Sequence, residues 1–135
     1  MPLQNLEDLL AHVDSKYRLV IVAAKRAKQL NRGAAQVVRQ VGVHALTDVT
    51  GFGLLGHAYE VAQASGVGIR IFAGGVPVLN GALEYADGFQ PGGTGRNRSY
   101  LRDKVALVNS IDPGLEAVLY DPQTSGGLFI ALPPE

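Results

Sequence analysis

Apolar positions keep helical spacing through the first third of the chain. Leucine and valine side chains between residues 6 and 13 fall on one helical face, directly after Asn5, a favourable N-cap residue. From Tyr17 the apolar positions again recur three and four residues apart, as far as Gly42. The pattern predicts two helices in this region, with Gly33 as a weak point inside the second.

Beyond Gly42 the chain alternates between short strands and helices. Apolar, β-branched runs bounded by glycine or proline predict strands, and apolar positions three and four apart predict helices. The predicted strands are 43–49, 67–72, 115–120 and 128–132, the predicted helices are 54–64, 78–86 and 99–109, and residues 88–98 form a glycine-rich loop. This order predicts an α/β (α+β) domain of two layers, with helices covering a small mixed sheet and a helical N-terminal extension before it.

The composition is that of one globular domain. The chain has 135 residues, 47% of them hydrophobic, which is enough for a modest core. It contains no cysteine, which excludes disulfides, zinc–thiolate sites and a cysteine nucleophile within this chain. No signal peptide is recognisable, and the apolar run 19–24 is far too short to span a bilayer. We therefore expect a cytoplasmic protein with no membrane partner.

Charge is unevenly distributed, although the whole chain is neutral. Residues 1–41 carry seven Lys/Arg against three Asp/Glu, a net of +4, and residues 42–135 carry the compensating −4. Such asymmetry is typical of a nucleic-acid-binding arm or of two segments of different origin. Because the positive charges are dispersed along a predicted helix, we interpret them as its solvated face and expect no direct nucleic-acid binding.

One carboxylate, Asp48, stands out as a candidate for chemistry. It lies between a predicted strand and a glycine-rich turn, in the run Thr47-Asp48-Val49-Thr50-Gly51-Phe52-Gly53. Magnesium commonly takes one or two carboxylates together with substrate phosphates and water, so Asp48 is a candidate metal ligand. The alternative role is structural, with the carboxylate accepting amide hydrogens from Gly51 or Phe52 at the start of the next helix. No second acid stands at convincing spacing.

The glycines that follow fit a dinucleotide-binding pattern only in part. Residues 51–56 read G-x-G-x-x-G after a strand and before a helix. That site also needs an acidic residue about 20 positions later, at the end of the next strand, to bind the ribose. The next predicted strand runs into Ile71-Phe72-Ala73-Gly74-Gly75 without an acid, so we do not expect NAD or FAD. The glycines then serve tight helix–strand packing or shape a site.

Two further motifs follow Asp48 in the chain. Gly92-Gly93-Thr94-Gly95-Arg96-Asn97-Arg98 has the composition of an anion-binding loop or of an ordinary solvated loop. Asp121-Pro122-Gln123-Thr124-Ser125-Gly126-Gly127 is explained mostly by turn chemistry. Sequence order alone leaves open whether these loops reach Asp48. The three histidines lack metal-ligand spacing, and we interpret them as packing or surface residues; they are His12, His44 and His57.

The three motifs, in this order, resemble the C-terminal half of selenophosphate synthetase (selenide, water dikinase), over about residues 30–135. The resemblance implies an enzyme that makes selenophosphate from selenide and ATP with release of AMP and phosphate. It also implies a superfamily shared with aminoimidazole ribonucleotide synthetase, whose subunits have an N-terminal and a C-terminal α/β domain. Within it, Asp48 corresponds to an aspartate that binds the active-site magnesium. Thr47, Gly51 and Gly53 would belong to the active-site loop.

The chain departs from that family at both ends. It lacks the N-terminal domain with the catalytic cysteine or selenocysteine, the essential lysine and the other metal-binding aspartates. It also stops where the family continues with another helix and strand. We therefore assign no catalytic residue, leave open whether this chain is an enzyme, and expect neither turnover nor tight binding of Mg²⁺ or ATP by the chain alone. The N-terminal helices or a partner chain would cover the open sheet edge, and the partner we expect is a second copy of the chain or a missing N-terminal domain.

Residues 1–30 do not follow that family. The run 14–30, DSKYRLVIVAAKRAKQL, resembles the start of the omega subunit of bacterial RNA polymerase. The two resemblances imply an omega-like helical segment at 1–30 joined to a synthetase-like domain at 31–135, as a natural or engineered fusion. Alternative functions are then a module that binds RNA polymerase through residues 1–30, or a recombined chain with a structural role only.

Overall fold

The computed structural model describes residues 33, 34, 38, 42–86, 88–123 and 126–133. Its elements, in chain order, are strand β1 (Ala45–Asp48), helix α1 (Gly53–Ser65), a 3₁₀ turn (Ala73–Gly75), helix α2 (Ala82–Ala86), helix α3 (Gly92–Leu101), helix α4 (Pro113–Tyr120) and strand β2 (Leu128–Ala131). The predicted α/β class is confirmed, with a small sheet and covering helices. Most of the predicted N-terminal helices, including the whole omega-like segment, lies outside the described residues.

The sheet pairs β1 with β2 in antiparallel orientation. The register places Ala45 opposite Ala131 and Asp48 opposite Leu128. Pairing continues past the end of β1, because the Val49 amide donates to the Gly127 carbonyl oxygen at 3.0 Å. The segment that carries Asp48 is therefore held against the chain around Gly127, although 79 positions separate the two residues in the sequence.

Helix α1 confirms the predicted 54–64 helix, and Gly66 ends it. Gly66 adopts the left-handed conformation (φ 65°), in which glycine has no steric penalty, and its amide donates to carbonyls of the last turn. The helix buries its N-terminal half, from Gly53 to Ala58. The helix packs against α3, α4 and β1, and its buried Gly53 and Leu55 contact the end of α4 and the core.

Residues 115–120, predicted as a strand, belong to helix α4 instead. The run Leu115–Tyr120, apolar except for Glu116, suits a buried strand or a buried helix, and its length does not separate them. The decisive signal is upstream. Asp112 caps the helix by accepting from the Leu115 amide at 3.0 Å, and Pro113 occupies the first turn.

Two other predictions are wrong for tertiary reasons. The predicted loop at 88–98 contains most of α3, because contacts with the turn after α4 hold a glycine-rich stretch in helical form. The predicted strand 67–72 is an irregular segment without ladder pairing. The predicted helices 78–86 and 99–109 are shorter: the first is reduced to α2, and the second ends with α3 at Leu101.

The core lies where α1, α3 and α4 meet. Its buried members are Leu55, Leu101, Leu119 and Tyr120, and Leu101 has no exposed surface. In the part of the chain that the structure describes, no helix is long and apolar enough to cross a membrane.

Candidate functional site: a junction of three motifs

The three sequence motifs, separate along the chain, meet at one place. The Asp48 loop (residues 47–53), the first turns of α3 (residues 92–97) and the turn after α4 (residues 121–123 and 126–127) contact one another through hydrogen bonds and close backbone approaches. We call this meeting point the junction. The question that sequence order leaves open is thereby answered, because both loops reach the segment that carries Asp48.

Asn97 links the parts of the junction. Its side-chain Nδ2 donates to the Gly51 carbonyl oxygen at 3.0 Å and to the Tyr120 carbonyl oxygen at 2.9 Å. Both amide hydrogens are thus used, and the residue is only 7% exposed. The sequence separations are 46 and 23 residues, so one side chain from α3 fixes the Asp48 loop to the end of α4.

Close approach explains one of the two loop glycines named from the sequence. Gly53 has φ 70°, and a Cβ there would lie 2.9 Å from the Asp121 and Tyr120 carbonyl oxygens. Gly51 has a normal φ, is exposed, and would present a Cβ to open space. Elsewhere in the junction, a Cβ on Gly126 would meet the Val49 carbonyl oxygen at 2.7 Å, and one on Gly93 would collide with Pro122.

The Asp121 carboxylate makes its hydrogen bonds within the junction. One carboxylate oxygen accepts from the Thr94 hydroxyl at 3.2 Å, and the other accepts from the Gln123 side-chain amide at 3.0 Å. Thr94 is nearly fully buried. The Gln123 backbone amide in turn donates to the Thr50 carbonyl oxygen at 3.0 Å. The carboxylate thus holds the turn to α3, and the Gln123 backbone amide holds the same turn to the Asp48 loop.

Asp48 is half-buried and differs from Asp121 in the hydrogen bonding of its carboxylate. The sequence leaves open a capping role towards Gly51 or Phe52, but α1 has no side-chain cap at Phe52. Among the described residues, no hydrogen bond or ion pair reaches the Asp48 carboxylate. Neighbouring Thr47 donates its hydroxyl hydrogen to the Asp48 carbonyl oxygen at 3.2 Å, which concerns the main chain only. Within the described residues, the carboxylate therefore has no protein partner that would compete with a ligand.

Arg98, proposed from the sequence as an anion ligand, is already paired. Its guanidinium lies 2.8 Å from the Glu116 carboxylate and 5.1 Å from the centre of the Tyr120 ring. Burial raises the pKa of the Tyr120 phenol; the Glu116 charge acts in the same direction, and the Arg98 charge opposes it. This group fastens α3 to α4, and the arginine that remains for an anion in that motif is exposed Arg96.

His57 belongs to the site, although the sequence pattern indicates a packing or surface residue. The residue is 8% exposed, and its imidazole lies between two partners. Its Nε2 is 3.0 Å from the Thr50 hydroxyl, and its Nδ1 is 2.9 Å from the Glu60 carboxylate. The spacing of Thr50, His57 and Glu60 is the signal that could have revealed the contact, since residues 57 and 60 share a helix face.

A cavity of about 780 Å³ opens beside the junction. Thr94, Asp121 and Gln123 contribute polar groups to its wall, which is otherwise mainly apolar. The remaining wall includes large side chains from the irregular segment and from α2, among them Phe72 and Tyr85. Asp48 is not among the residues that line this wall, although its chain neighbour Val49 and its cross-strand partner Leu128 are.

Comparison with known proteins identifies the family of this chain. A family model described as AIR synthase related protein, C-terminal domain, matches residues 7–135, which include the whole junction. The chain belongs to this family. The match begins within the segment that resembles omega, and the comparisons do not support the omega resemblance. A domain boundary at residue 30 stays a prediction.

Curated relatives in this family share the name selenide, water dikinase. One from Caldanaerobacter subterraneus subsp. tengcongensis is 46% identical over 116 residues, covering 85% of this chain and 33% of the relative. One from Clostridium botulinum (strain Eklund 17B / Type B) is 48% identical over 105 residues, covering 77% and 30%. The chain therefore spans about a third of the length of the relatives it matches. These findings support the resemblance to the C-terminal domain of selenophosphate synthetase.

The ligands that the described residues offer suit a magnesium ion only if groups from outside the chain complete its coordination. Within the described residues, no three His, Cys, Asp or Glu side chains are grouped so that they could hold a metal. Asp48 offers one half-buried carboxylate, while Asp121 is occupied by Thr94 and Gln123. Because magnesium is often bound by one or two carboxylates plus phosphates and water, a single carboxylate suits a site that other groups complete.

Proposed function

We propose that this chain is the C-terminal part of a selenide, water dikinase, in which Asp48 supplies one carboxylate to magnesium bound with the phosphates of ATP. Family membership and the names of the relatives support this proposal. The observation that carries it is the position of the Asp48 carboxylate at the junction of three motifs, with no hydrogen-bond or ion-pair partner among the described residues.

The residues of this chain would hold and orient the ion. Magnesium supplies positive charge that neutralises phosphate oxygens during phosphoryl transfer. Asp48 would fix its position, and the close packing of Gly53 against the end of α4 keeps the loop in one conformation. The nucleophile and the other ligands would come from outside this chain. We therefore expect no AMP or selenophosphate from the chain alone; formation of either, lost in Asp48→Ala, would contradict this.

Paramagnetic broadening tests the proposed metal site directly. Mn²⁺ replaces Mg²⁺ at most oxygen sites and broadens NMR signals of nearby nuclei even when binding is weak. With ¹⁵N-labelled chain, we expect Mn²⁺, with and without ATP, to broaden the amides of residues 47–53 before others. Asp48→Asn should abolish this selective broadening, because it removes the charged ligand.

Asp103→Asn is the matched control for that experiment. Asp103 is an exposed acid just after α3, and its replacement removes the same charge without touching the junction. We expect the broadening of residues 47–53 to persist in this variant. Broadening centred elsewhere, or equal in Asp48→Asn and the unmodified chain, would rule out the proposed role of Asp48.

A further inference from the structure

A hydroxyl, an imidazole and a carboxylate form a chain of hydrogen bonds that joins the Asp48 loop to helix α1. It runs from the Thr50 hydroxyl to His57 Nε2 at 3.0 Å, and from His57 Nδ1 to the Glu60 carboxylate at 2.9 Å. The His57 side chain is 10% exposed, whereas that of Glu60 is 47% exposed. The Phe52 ring, 5.6 Å away between centroids, packs near the imidazole. The imidazole of His57 is thus enclosed between helix α1, which carries it, and the Asp48 loop.

The chemistry of the partners fixes the direction of each hydrogen bond. An ionised carboxylate only accepts, so His57 Nδ1 must carry a hydrogen and donate it to Glu60. In the neutral imidazole, Nε2 is then an acceptor, and the Thr50 hydroxyl must donate its hydrogen there. Because the Thr50 hydroxyl donates its hydrogen to His57 on helix α1, the lone pairs of its oxygen can accept a hydrogen bond from another group.

Thr50 stands close to Asp48 in a fixed piece of chain. Strand β1 ends at Asp48, but Val49 continues its pairing, since its amide donates to the Gly127 carbonyl oxygen and its carbonyl oxygen accepts from the Gly126 amide. Strand-like alternation through Val49 places side chains 48 and 50 on the same face. Val49, between them, is 5% exposed and belongs to the core. The Thr50 carbonyl oxygen accepts from the Gly53 and Gln123 amides, both at 3.0 Å, so its backbone is also fixed.

We infer that His57 and Glu60 are positioning residues that orient the Thr50 hydroxyl, so that its oxygen accepts a hydrogen bond from a water molecule on the magnesium ion at Asp48. The inference rests on the proposed function, because it requires a hydrated cation at that carboxylate. Magnesium usually keeps several of its waters when it binds to proteins. Outer groups that orient the ligand shell commonly contribute about 10–100-fold to metal affinity.

The tautomer of His57 is the first test, and it does not depend on any metal. Long-range ¹H–¹⁵N NMR spectra of the full chain at mildly alkaline pH distinguish a protonated ring nitrogen from a bare one. We expect the hydrogen on Nδ1 and a bare Nε2 at His57. A neutral ring with its hydrogen on Nε2 would overturn the inference, because Thr50 could not then donate to it.

A pair of His57 variants tests the effect on metal binding. The His57→Gln side chain keeps an acceptor near the former Nε2 position, whereas His57→Asn ends near the former Nδ1 and leaves Thr50 without an acceptor. From Mn²⁺ titrations followed at residues 47–53, we expect about tenfold weaker affinity for His57→Asn and recovery in His57→Gln. Because asparagine is also smaller than glutamine, a role in packing alone predicts the same order for this pair, and the Thr50 pair separates the two explanations. His44→Gln, at an exposed histidine, should not change the affinity.

Thr50 gives a second pair that leaves the imidazole in place. Thr50→Val removes the hydroxyl with little change of volume, and Thr50→Ser retains it. We expect the same tenfold loss in the first variant and recovery in the second, and this pair decides the matter if His57→Asn does not give the dispersed spectrum of a folded chain. Selective Mn²⁺ binding that is equal in Thr50→Val and Thr50→Ser would overturn the inference and leave the role of Asp48 intact. Absence of selective binding in the unmodified chain would overturn both.

Discussion

Asn97 holds two segments of the chain with one side chain, which makes the junction sensitive to this residue. Both hydrogens of its amide go to main-chain carbonyls, at Gly51 and at Tyr120, in a buried setting. Removal of a buried donor leaves its acceptors without a partner, which costs about 1–3 kcal/mol. We expect Asn97→Ala to lower the free energy of unfolding by about 2 kcal/mol in urea denaturation.

A control and a second readout separate this local role from a general loss of stability. Asn109→Ala removes an exposed amide and should change the free energy of unfolding by less than about 0.5 kcal/mol. In Asn97→Ala, the largest amide shift changes should fall on the Asp48 loop and the end of α4. Equal stability of both variants would show that Asn97 does not link the junction.

At this scale, the sequence predicts a residue when its role depends on near neighbours. Asp48 is recognisable because a strand, a glycine-rich turn and a helix start surround it within a few positions. Asn97 is not, because its partners are 46 and 23 residues away. His57 is intermediate: Glu60 is one helical turn away, but the contact with Thr50 depends on how the chain turns at Gly53.

At the scale of elements, the turn from β1 into α1 depends on Gly53. An alanine there would have to adopt φ 70° and would bring its Cβ to 2.9 Å from main-chain atoms of Tyr120 and Asp121. The left-handed conformation alone costs about 1–2 kcal/mol for a residue with a Cβ, and main-chain atoms cannot move aside cheaply. We expect Gly53→Ala to lower the free energy of unfolding by more than about 2 kcal/mol in thermal or urea denaturation.

Gly51→Ala is the matched control within the same loop. Gly51 has a normal φ and open space where a Cβ would lie, so we expect a change within about 0.5 kcal/mol. The comparison also separates two possible reasons for a glycine in this loop. If Gly51→Ala leaves stability unchanged but weakens Mn²⁺ binding, the open space at Gly51 is used by a ligand. A larger loss of stability at Gly51 than at Gly53 would contradict the geometry.

Elements with local signals could be predicted from the sequence, and those fixed by distant contacts could not. Strands β1 and β2 and helix α1 follow the apolar pattern and the glycines that bound them. Helix α3 contains three glycines in its first four positions, a composition that disfavours an isolated helix. It forms because Gly93 packs on Pro122 and because Thr94 and Asn97 bond to the other motifs. Helix α4 was predictable from Asp112 and Pro113.

At the scale of the whole molecule, the described sheet is small, and the cavity beside it has a mainly apolar wall. A two-stranded sheet is marginal unless other elements cover it, and in the described part of the chain β1 and β2 pair only with each other. Residues 69–72 line both the 780 Å³ cavity beside the junction and a second cavity of about 760 Å³. The segment predicted as a strand thus lies between two open spaces, with its apolar side chains partly uncovered.

This architecture leads us to expect self-association. Large apolar side chains are unusually exposed around the first cavity, including Phe72 at 76% and Phe89 at 80%. A contiguous apolar surface of this kind is typical of an interface, and an unpaired strand edge favours pairing with a second copy. We expect a dimer or larger species in size-exclusion chromatography with light scattering, with a share that rises with concentration.

Two sets of variants determine which face associates. Phe72→Ser with Phe89→Ser changes the wall of the first cavity and should shift the chain towards monomer. Val108→Ser, at an 85% exposed position that lines the second cavity but not the first, should leave the distribution unchanged. A monomer with a cooperative melt at all concentrations would contradict self-association. It would also mean that the exposed apolar face is tolerated in water, or that it is covered by residues outside the described part of the chain.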